Sequence, residues 1–503
     1  MIGEAQHNKS KQICIVVVLN GYGAIEMSNP VNSFIQKYNV PGPRYTSYPT
    51  VPYWDEQHFS LDLWQQTLKR SFDESNATEG ISLYIHLPFC ESLCTFCGCH
   101  KKVTKRHEVE QPYIQAVLKE WALYCQLLVD QPVIKEIHLG GGTPTFFSAE
   151  HLKQLIEGIL SKAKIAHEYE FSFEGHPNNT SKAHLQTLYD LGFRRVSYGV
   201  QDYNEKVQKA IHRIQPFEHV KQVTEWAKEI GYTSISHDLV FGLPFQNLED
   251  VLNTIDQTSS LMPDRLAFYS YAHVPWIKGN GQRGFKDHDV PKDEMKRQCY
   301  EEGKKKLLEQ GYHEIGMDHF ALEQDPMYQS FQAGTLHRNF MGYTASKTQV
   351  MIGLGVSSIS DSWYSFAQNE KNIDDYYVSL EQEQIPVYRG HILSGEDLVI
   401  RKHILNLMCS FETSWSDPKM DFPELNDVLD QLNEMQHDQL LVIGDKSIRV
   451  TEAGKPFVRN ICMAFDLKLK RKMPESRIFS MTIYRSLSTL LKRRALLMAY
   501  GLN

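Results

Sequence analysis

The chain has 503 residues and a formal net charge of −8, with 42% hydrophobic and 23% charged residues. These fractions are ordinary for a soluble globular protein, and the length allows two or three domains. The negative charge gives no support for nucleic acid as a partner, and no segment has the eighteen or so apolar residues that a membrane span needs. Nine cysteines, five of them scattered, are typical of a protein in a reducing cytoplasm.

The chain begins with residues 1–26, which we expect to be a non-native or disordered extension outside the fold. Its apolar run Ile13–Leu19 is short, and no A-x-A-like cleavage site follows it closely, so a signal peptide is not indicated. We therefore expect Met27 to be the natural start.

From about residue 80, short apolar runs alternate with helix-length segments. The predicted strands are Leu83–His86, Ile134–Leu139, Tyr169–Phe173, Arg195–Val200, Ser234–Val240 and Arg265–Tyr271. The predicted helices are Gln111–Leu128, Ala149–Ala163, Ser181–Leu191, Glu218–Ile230 and Glu249–Leu261, with Ser148 and the cluster Asn179–Ser181 as N-caps. Six such units predict an α/β fold with a parallel sheet, and because eight close a full barrel, we expect an open three-quarter (βα)6 barrel.

Three cysteines, Cys90, Cys94 and Cys97, follow the first strand with the spacing Cys-x3-Cys-x2-Cys. Three thiolates on one short loop can hold a four-iron cluster and leave one iron open to an outside ligand. The two alternatives are a zinc site and plain structural thiols. Structural zinc sites favour four ligands in two separated pairs, and no second pair follows here. The outside ligand associated with this spacing is S-adenosylmethionine, so the loop predicts a radical enzyme.

Other polar and glycine residues fall where the predicted strands end. The turn Gly140–Pro144 follows the second strand and exposes backbone groups that side chains would cover. Glu174, Gln201 and Ala272 follow the third, fourth and sixth strands, and Arg213 and Asp238, which lies within the fifth strand, are further candidates near the barrel mouth. Because the carboxyl ends of parallel strands meet at one face, we expect these residues to form one site.

The C-terminal third is predicted to be mainly helical. We expect residues 80–370 to contain the barrel and its extension, and residues 371–480 to form helices followed by a hairpin at Gly444–Asp445. This pattern indicates a winged-helix-like domain or a plain helical lid. Residues 481–503 form a basic tail, either a solvated extension or an amphipathic surface helix.

The stretch Tyr84–Cys99, together with the Gly140–Pro144 turn, resembles the radical S-adenosylmethionine superfamily and, more closely, the oxygen-independent coproporphyrinogen III oxidase family. Other stretches that fit this family are Gly42–Pro49, Arg195–Asp202, Asp238–Pro244, Tyr271–His273, Gly316–Phe320, Leu336–Phe340, Gly342–Thr344 and Arg459–Cys462. The resemblance covers about residues 30 to 480.

This resemblance implies one [4Fe-4S] cluster and two S-adenosylmethionine molecules. Cys90, Cys94 and Cys97 match the cluster ligands, and Cys99 matches a fourth cysteine that is needed but does not bind iron. Residues that match contacts to the first cofactor molecule are Tyr84, Gly141, Glu174 and Ile359. Residues that match contacts to the second are Phe96, Gly142, Thr143, Gln201, Arg213, Asp238 and Ala272.

The implied activity is the anaerobic oxidative decarboxylation of two propionate side chains of coproporphyrinogen III to vinyl groups, through hydrogen abstraction by a 5′-deoxyadenosyl radical. Residues 27–79 would form an arm over the site, and Arg44 and Arg338 are candidates for propionate contacts. The resemblance also implies a cytoplasmic monomer with an unidentified electron donor and acceptor.

Two departures from the family pattern stand out. Gly175–His176 replaces an expected Val-Asp pair, and Met341 replaces a glutamine common before Gly-Tyr-Thr. A haem chaperone with the same barrel is the main alternative, but such relatives typically lack a counterpart of Gly98–Cys99 and the arm. A haem-degrading radical methyltransferase would need a divergent C-terminal region.

Overall fold

The computed structural model describes residues 34, 37–273, 282, 285–474 and 478–482. The expected extension 1–26, the proposed start at Met27 and the tail beyond Thr482 lie outside the described residues. The chain divides into two compact units, Met1–Tyr38 and Asn39–Asn503. The described residues of the first unit are 34, 37 and 38, and every element named below belongs to the second.

The six predicted strands are present and pair in chain order. They are β1 (Ile81–Leu87), β2 (Val133–Gly141), β3 (Lys164–Gly175), β4 (Arg195–Gln201), β5 (Ser234–Phe241) and β6 (Arg265–Ser270). Every neighbouring pair is parallel, which confirms the predicted parallel sheet. The third strand is longer than predicted, because Lys164 and Ile165 pair with Val133 and Ile134 at the beginning of β2.

The predicted helices follow these strands. In chain order the helices of this part are α1 (Leu61–Ser75), α2 (Glu110–Leu128), α3 (Ala149–Leu160), α4 (Lys182–Asp190), α5 (Glu205–Ala210), α6 (Phe217–Ile230) and α7 (Leu248–Ser260). Of these, α1, which precedes β1, and the short α5 were not predicted. The predicted caps are confirmed, since the hydroxyls of Ser148 and Ser181 accept hydrogen bonds from the backbone N–H of His151 and His184. The remaining helices are α8 (Asp293–Glu309), α9 (Pro326–Gln332), α10 (Ile373–Glu381), α11 (Gly395–Ser410), α12 (Leu425–His437), α13 (Val458–Phe465) and α14 (Leu467–Arg471).

The sheet is larger than the six predicted strands. The next strands along the chain are β7 (His313–Gly316), β8 (His319–Ala321), β9 (His337–Asn339), β10 (Gly342–Thr344), β11 (Val350–Leu354), β12 (Ile359–Ser362), β13 (Ser365–Asn369) and β14 (Val387–Ile392), and all of them except β9 and β10 join this sheet. Twelve strands form one sheet in the order β14-β13-β12-β11-β1-β2-β3-β4-β5-β6-β8-β7, and β9 pairs separately with β10. In this order the end strands β14 and β7 are not neighbours, which agrees with an open rather than a closed barrel.

Apolar and polar side chains alternate along the strands, so that the sheet has one apolar face and one polar face. On β3, Phe171 and Phe173 belong to the main hydrophobic core, which also contains Trp64 of α1 and Trp121 of α2. Intervening side chains such as Glu170 take the opposite face, where this carboxylate forms ion pairs with arginines of β4 and β6. The polar face is therefore the one on which the strand-end residues converge.

The C-terminal part is mainly helical, as predicted. This part contains helices α11 to α14 and a small sheet of β15 (Glu412–Ser414), β16 (Leu441–Ile443) and β17 (Ser447–Val450), in the order β15-β17-β16. Helix α11 packs against β15 and helix α12 against β16. The predicted hairpin is the β16–β17 connection. Its winged-helix-like or lid character, and the boundaries 27–79, 80–370 and 371–480, stay predictions.

Among the helices that the structure describes, none combines the length and the apolar character needed to cross a bilayer.

Candidate active site

The cysteine loop is closed at its base by a short parallel pair, Phe89–Cys90 with Lys102–Val103. The backbone N–H of Thr104 also donates to the carbonyl of Cys90 at 2.9 Å. The far side of the loop is fixed by Thr95, whose backbone N–H donates to Ile211 at 3.0 Å. The loop is thus held at both ends rather than by its cysteines alone.

The glycine turn packs directly against this loop. The N–H of Gly142 donates to the carbonyl of Leu87 at 2.8 Å, and that of Thr143 donates to the carbonyl of Phe89 at 2.9 Å. A Cβ on Gly142 would lie 2.6 Å from the Pro88 carbonyl, and Gly141 has φ +112°. Side chains at these two positions are therefore excluded by close approach and by backbone conformation.

The thiols of the loop are engaged by neighbouring polar groups. The hydroxyl of Thr143 donates to Cys90 Sγ at 3.3 Å, and the guanidinium of Arg213 donates to Cys94 Sγ at 3.6 Å. The thiol of Cys99 donates to Cys97, which lowers the pKa of Cys97 to about 6 and raises the pKa of Cys99. Burial raises the pKa of the Cys90 thiol. The loop thus has donors aimed at its sulfurs, as a thiolate site requires.

Two carboxylates stand at the carboxyl ends of the strands. Glu174 accepts a hydrogen bond from the N–H of Gly141 at 3.3 Å and lies 3.4 Å from His138 Nε2. Asp238 accepts from the Ser197 hydroxyl at 3.1 Å. Burial, with a smaller contribution from the charge of Glu174, raises the pKa of Asp238 to about 7. An ammonium or a ribose hydroxyl in the cavity would favour the ionised form of this carboxyl.

A cavity of about 410 Å³ joins these features. Twelve of the predicted site residues line it, namely Cys90, Cys94, Phe96, Cys97, Cys99, Gly141, Gly142, Thr143, Glu174, Gln201, Arg213 and Asp238. Within the described residues, the wall does not include Tyr84, Ala272 or Ile359.

These three residues lie next to the wall. Tyr84 lies beside Glu174, since a Cβ on Gly140 would approach both side chains at 3.0 to 3.1 Å. Ile359 is packed over Gly353, the register partner of Tyr84 in β11. The carbonyl of Ala272 accepts a hydrogen bond from Gln282, which also donates to the carbonyl of Phe96.

The cavity wall also contains residues that the sequence reasoning missed. They include Lys101, Lys105, His176, Asn178 and Ser197. Ser197 could have been found from the two-residue alternation of β4, because it lies between Arg195 and Gly199 on the polar face. His176 belongs to the departure Gly175–His176, and burial lowers its pKa to about 2, so its imidazole is neutral in the wall.

The candidate propionate residues Arg44 and Arg338 lie close to each other, and among the described residues that line the 410 Å³ cavity neither is included. The guanidinium of Arg44 pairs with the Asp318 carboxylate, and Arg338 donates to the carbonyls of Arg44 and Tyr45. Arg338 also lies over the ring of Tyr343 at 4.4 Å, and within the described residues its Nη1 has no hydrogen-bond partner. Met341 lies in the turn between β9 and β10, where its N–H donates to Asn339.

In the part of the chain that the structure describes, no three His, Cys, Asp or Glu side chains converge on the position of a single metal ion. A cluster does not require such convergence, because each cysteine ligates a different iron. Three thiols on one cavity wall, with a donor aimed at each of them, fit an iron–sulfur cluster rather than one mononuclear ion.

A parallel sheet with a three-cysteine loop after its first strand and a glycine turn after its second defines a radical S-adenosylmethionine protein. In agreement, residues 84–258 match the family described as the Radical SAM superfamily. The chain is 38% identical over 443 residues to the oxygen-independent coproporphyrinogen III oxidase of Helicobacter pylori strain J99, covering 86% of this chain and 96% of that protein. It is 36% identical over 447 residues to the Escherichia coli K12 protein of that name, covering 88% and 96%.

The solved structure of coproporphyrinogen III oxidase (HemN) from Escherichia coli, described as a radical SAM enzyme, superposes with a TM-score of 0.79 at 34% identity and covers 84% of this chain and 97% of that one. The chain belongs to the oxygen-independent coproporphyrinogen III oxidase family. Membership in the radical SAM superfamily implies a [4Fe-4S] cluster and S-adenosylmethionine as cofactors.

Proposed function

We propose that this protein catalyses the anaerobic oxidative decarboxylation of two propionate side chains of coproporphyrinogen III, which gives protoporphyrinogen IX. The observation that carries the proposal is the shared cavity, in which the cysteine loop, the glycine turn and the strand-end carboxylates form one wall. Identity of 36–38% to named oxidases over nearly their whole length supports the same substrate.

In this proposal Cys90, Cys94 and Cys97 hold the cluster, and Thr143 and Arg213 donate to its cysteine sulfurs. The bound cofactors supply a 5′-deoxyadenosyl radical that removes hydrogen from the β-carbon of a propionate. The protein holds the C–H bond in place and keeps water out. Loss of one hydrogen atom, CO₂ and one electron then turns each propionate into a vinyl group.

Two S-adenosylmethionine molecules are proposed to bind in this one site. The proposed contacts of the first are Tyr84, Gly141, Glu174 and Ile359, and those of the second are Phe96, Gly142, Thr143, Gln201, Arg213, Asp238 and Ala272. Glu174 and Asp238 offer carboxylates to ammonium or ribose groups, and Arg213 offers a guanidinium to a carboxylate. The position of both carboxylates on the cavity wall supports this assignment.

Arg338 and Arg44 are proposed to contact the propionates. A propionate carboxylate would satisfy Nη1 of Arg338, which has no hydrogen-bond partner among the described residues, and a buried guanidinium with an open N–H group is costly without an acceptor. We expect Arg338→Lys to raise KM for coproporphyrinogen at least tenfold without altering S-adenosylmethionine affinity, since a charge-assisted hydrogen bond is worth roughly 1.5–3 kcal/mol.

The proposed reaction also needs an electron donor for the cluster and an acceptor for the substrate electron. We propose that the protein acts as a monomer in the cytoplasm, as the resemblance to the family implies.

Cys99→Ser tests this function. In an anaerobic assay of the reconstituted protein, we expect wild type to form protoporphyrinogen and the variant to form none while it retains the iron content and cluster spectrum of wild type. Cofactor cleavage without decarboxylated product, together with retained haem, would instead support a haem-binding relative.

A further inference from the structure

A basic patch lies on the outer surface beside the cysteine loop. We define it by Lys102, Lys105 and Arg106, which are all exposed and which, within the described residues, form no ion pair; Lys105 also lines the edge of the 410 Å³ cavity. Acidic groups near it are Glu108 and Asp374, and a fourth cation, Lys371, lies near His100. The local charge is positive on a chain whose net charge is −8, so this patch would attract an acidic partner.

The patch has a direct connection to a predicted cluster ligand. Lys102 and Val103 form the strand that pairs with Phe89–Cys90. One hydrogen bond, from the N–H of Thr104 to the carbonyl of Cys90 at 2.9 Å, links this surface segment to the ligand. Val103 is 47% exposed, so only one strand separates solvent from the backbone of Cys90.

A surface groove of about 540 Å³ adjoins the patch. Lys102 and Arg106 line it together with the apolar side chains of Phe89, Val109, Ile373 and Tyr377. This groove is separate from the 410 Å³ cavity, which the cofactor and substrate are proposed to fill. An apolar floor with a charged rim has the composition of a protein-docking surface.

We propose that a small acidic one-electron carrier protein docks on the basic patch and reduces the cluster through the Lys102–Val103 strand. One electron leaves the carrier, which is oxidised, and enters the cluster, which passes from the 2+ to the 1+ state; no bond forms or breaks. The inference rests on the cluster of the proposed function but not on the porphyrinogen reaction.

The test uses reconstituted protein and a bacterial flavodoxin, an acidic FMN protein, as the probe. The variant is the double charge reversal Lys102→Glu/Arg106→Glu, and the control is Lys446→Glu, an exposed lysine of the β16–β17 hairpin. The first measurement is the Kd of flavodoxin, obtained from its flavin fluorescence. The second is the rate of cluster reduction, measured once with reduced flavodoxin and once with photoreduced deazaflavin, which is a small reductant that needs no docking surface.

At about 0.05 M salt, we expect the double variant to bind flavodoxin more weakly and to be reduced by it more slowly than wild type, each by roughly tenfold or more. At about 0.5 M salt, we expect both differences from wild type to become smaller. Reduction by deazaflavin and the behaviour of Lys446→Glu should match wild type. Unchanged binding and rates would overturn the proposal. Equal slowing with both reductants would also overturn it, because the substitutions would then act on the cluster itself. Neither the binding measurement nor the reduction rate requires porphyrinogen. A protein that failed to decarboxylate coproporphyrinogen could therefore still give the expected binding and reduction results.

Discussion

The hydroxyl of Thr143 donates a hydrogen bond to the sulfur of Cys90 at 3.3 Å. This contact joins the turn after β2 to the loop after β1, and both segments are also held together by backbone hydrogen bonds. The glycine turn and the cysteine loop therefore form one unit, in which a residue predicted to contact the cofactor also acts on a predicted cluster ligand.

Removing this hydrogen bond should change the electronic character of the cluster. Thr143→Val keeps the shape of the side chain but loses the donor, and hydrogen bonds to sulfur raise the reduction potential of a cluster. We expect a more negative midpoint potential in an EPR-monitored redox titration, whereas Thr143→Ser should stay close to wild type. A valine variant with the potential of wild type would show that the contact has no electronic role.

Glu174 provides a second prediction. Because its carboxylate lies on the cavity wall and accepts from Gly141, Glu174→Gln should weaken S-adenosylmethionine binding about tenfold or more, the loss expected for a charge-assisted hydrogen bond. Anaerobic calorimetry with the reconstituted protein measures this affinity. Glu157→Gln, on the surface of α3, is the matched control, and equal affinities of the two variants would contradict the assignment of Glu174.

Much of the site was predictable because its residues follow buried strands whose carboxyl ends share one face. Glu174 and Asp238 meet at one cavity for this reason. Lys101 and Lys105 were not predicted, because both lie in a loop. The two-residue alternation of a strand indicates which side chains share a face, but it gives no such information for loop residues. His176 was seen only as a departure from a family pattern, and its place in the wall required the conformation of the segment after β3.

Arg459 is predicted to be essential for holding the segment before α1. This buried side chain donates to the carbonyls of Pro43 at 2.8 Å and Met481 at 2.9 Å, and also to that of Gly42. Arg459→Leu leaves these acceptors unsatisfied, so we expect a loss of about 3 kcal/mol in the free energy of unfolding and faster proteolysis within residues 41–49.

Urea unfolding and limited proteolysis measure these two effects. Arg449→Leu is the control, since Arg449 is exposed and its pair with Glu412 should contribute no more than about 1 kcal/mol. If Arg459→Leu behaves like Arg449→Leu, the carbonyl contacts do not stabilise this segment.

Glu120 should make stability depend on pH. This side chain is fully buried in α2, and burial raises its pKa to about 7 although Gly355, Tyr376 and Asn369 all donate to it. The folded pKa lies above the unfolded value of 4.5, so the contribution of Glu120 is fully present below about pH 4.5 and is lost as pH rises through about 7.

Glu120→Gln removes this titration. Between about pH 5 and pH 8 we expect the stability difference between wild type and variant to move by about 2 kcal/mol in favour of the variant, as measured by urea unfolding at both pH values. A difference that is constant with pH would mean that Glu120 keeps an ordinary pKa.

The fold was predictable where the pattern is local. β2 and β5 are short runs in which β-branched and other apolar residues recur, and helix-length segments flank both runs, which is the pattern of parallel strands in an α/β fold. β11 was not predicted. Its partner β1 lies more than 260 residues earlier in the chain, and β11 is not preceded by the regular alternation of helices and strands that marks the first six strands. The beginning of β3 was missed because its exposed residues lack the apolar run that marked the other strands.

The most direct test of the central claim is the product formed from coproporphyrinogen III under anaerobic conditions, with the reconstituted protein, S-adenosylmethionine, a reductant and an electron acceptor. We predict protoporphyrinogen IX, with two 5′-deoxyadenosine molecules formed for each molecule of product. Formation of 5′-deoxyadenosine with coproporphyrinogen III left intact would contradict the account, because the site would then generate the radical without acting on this substrate.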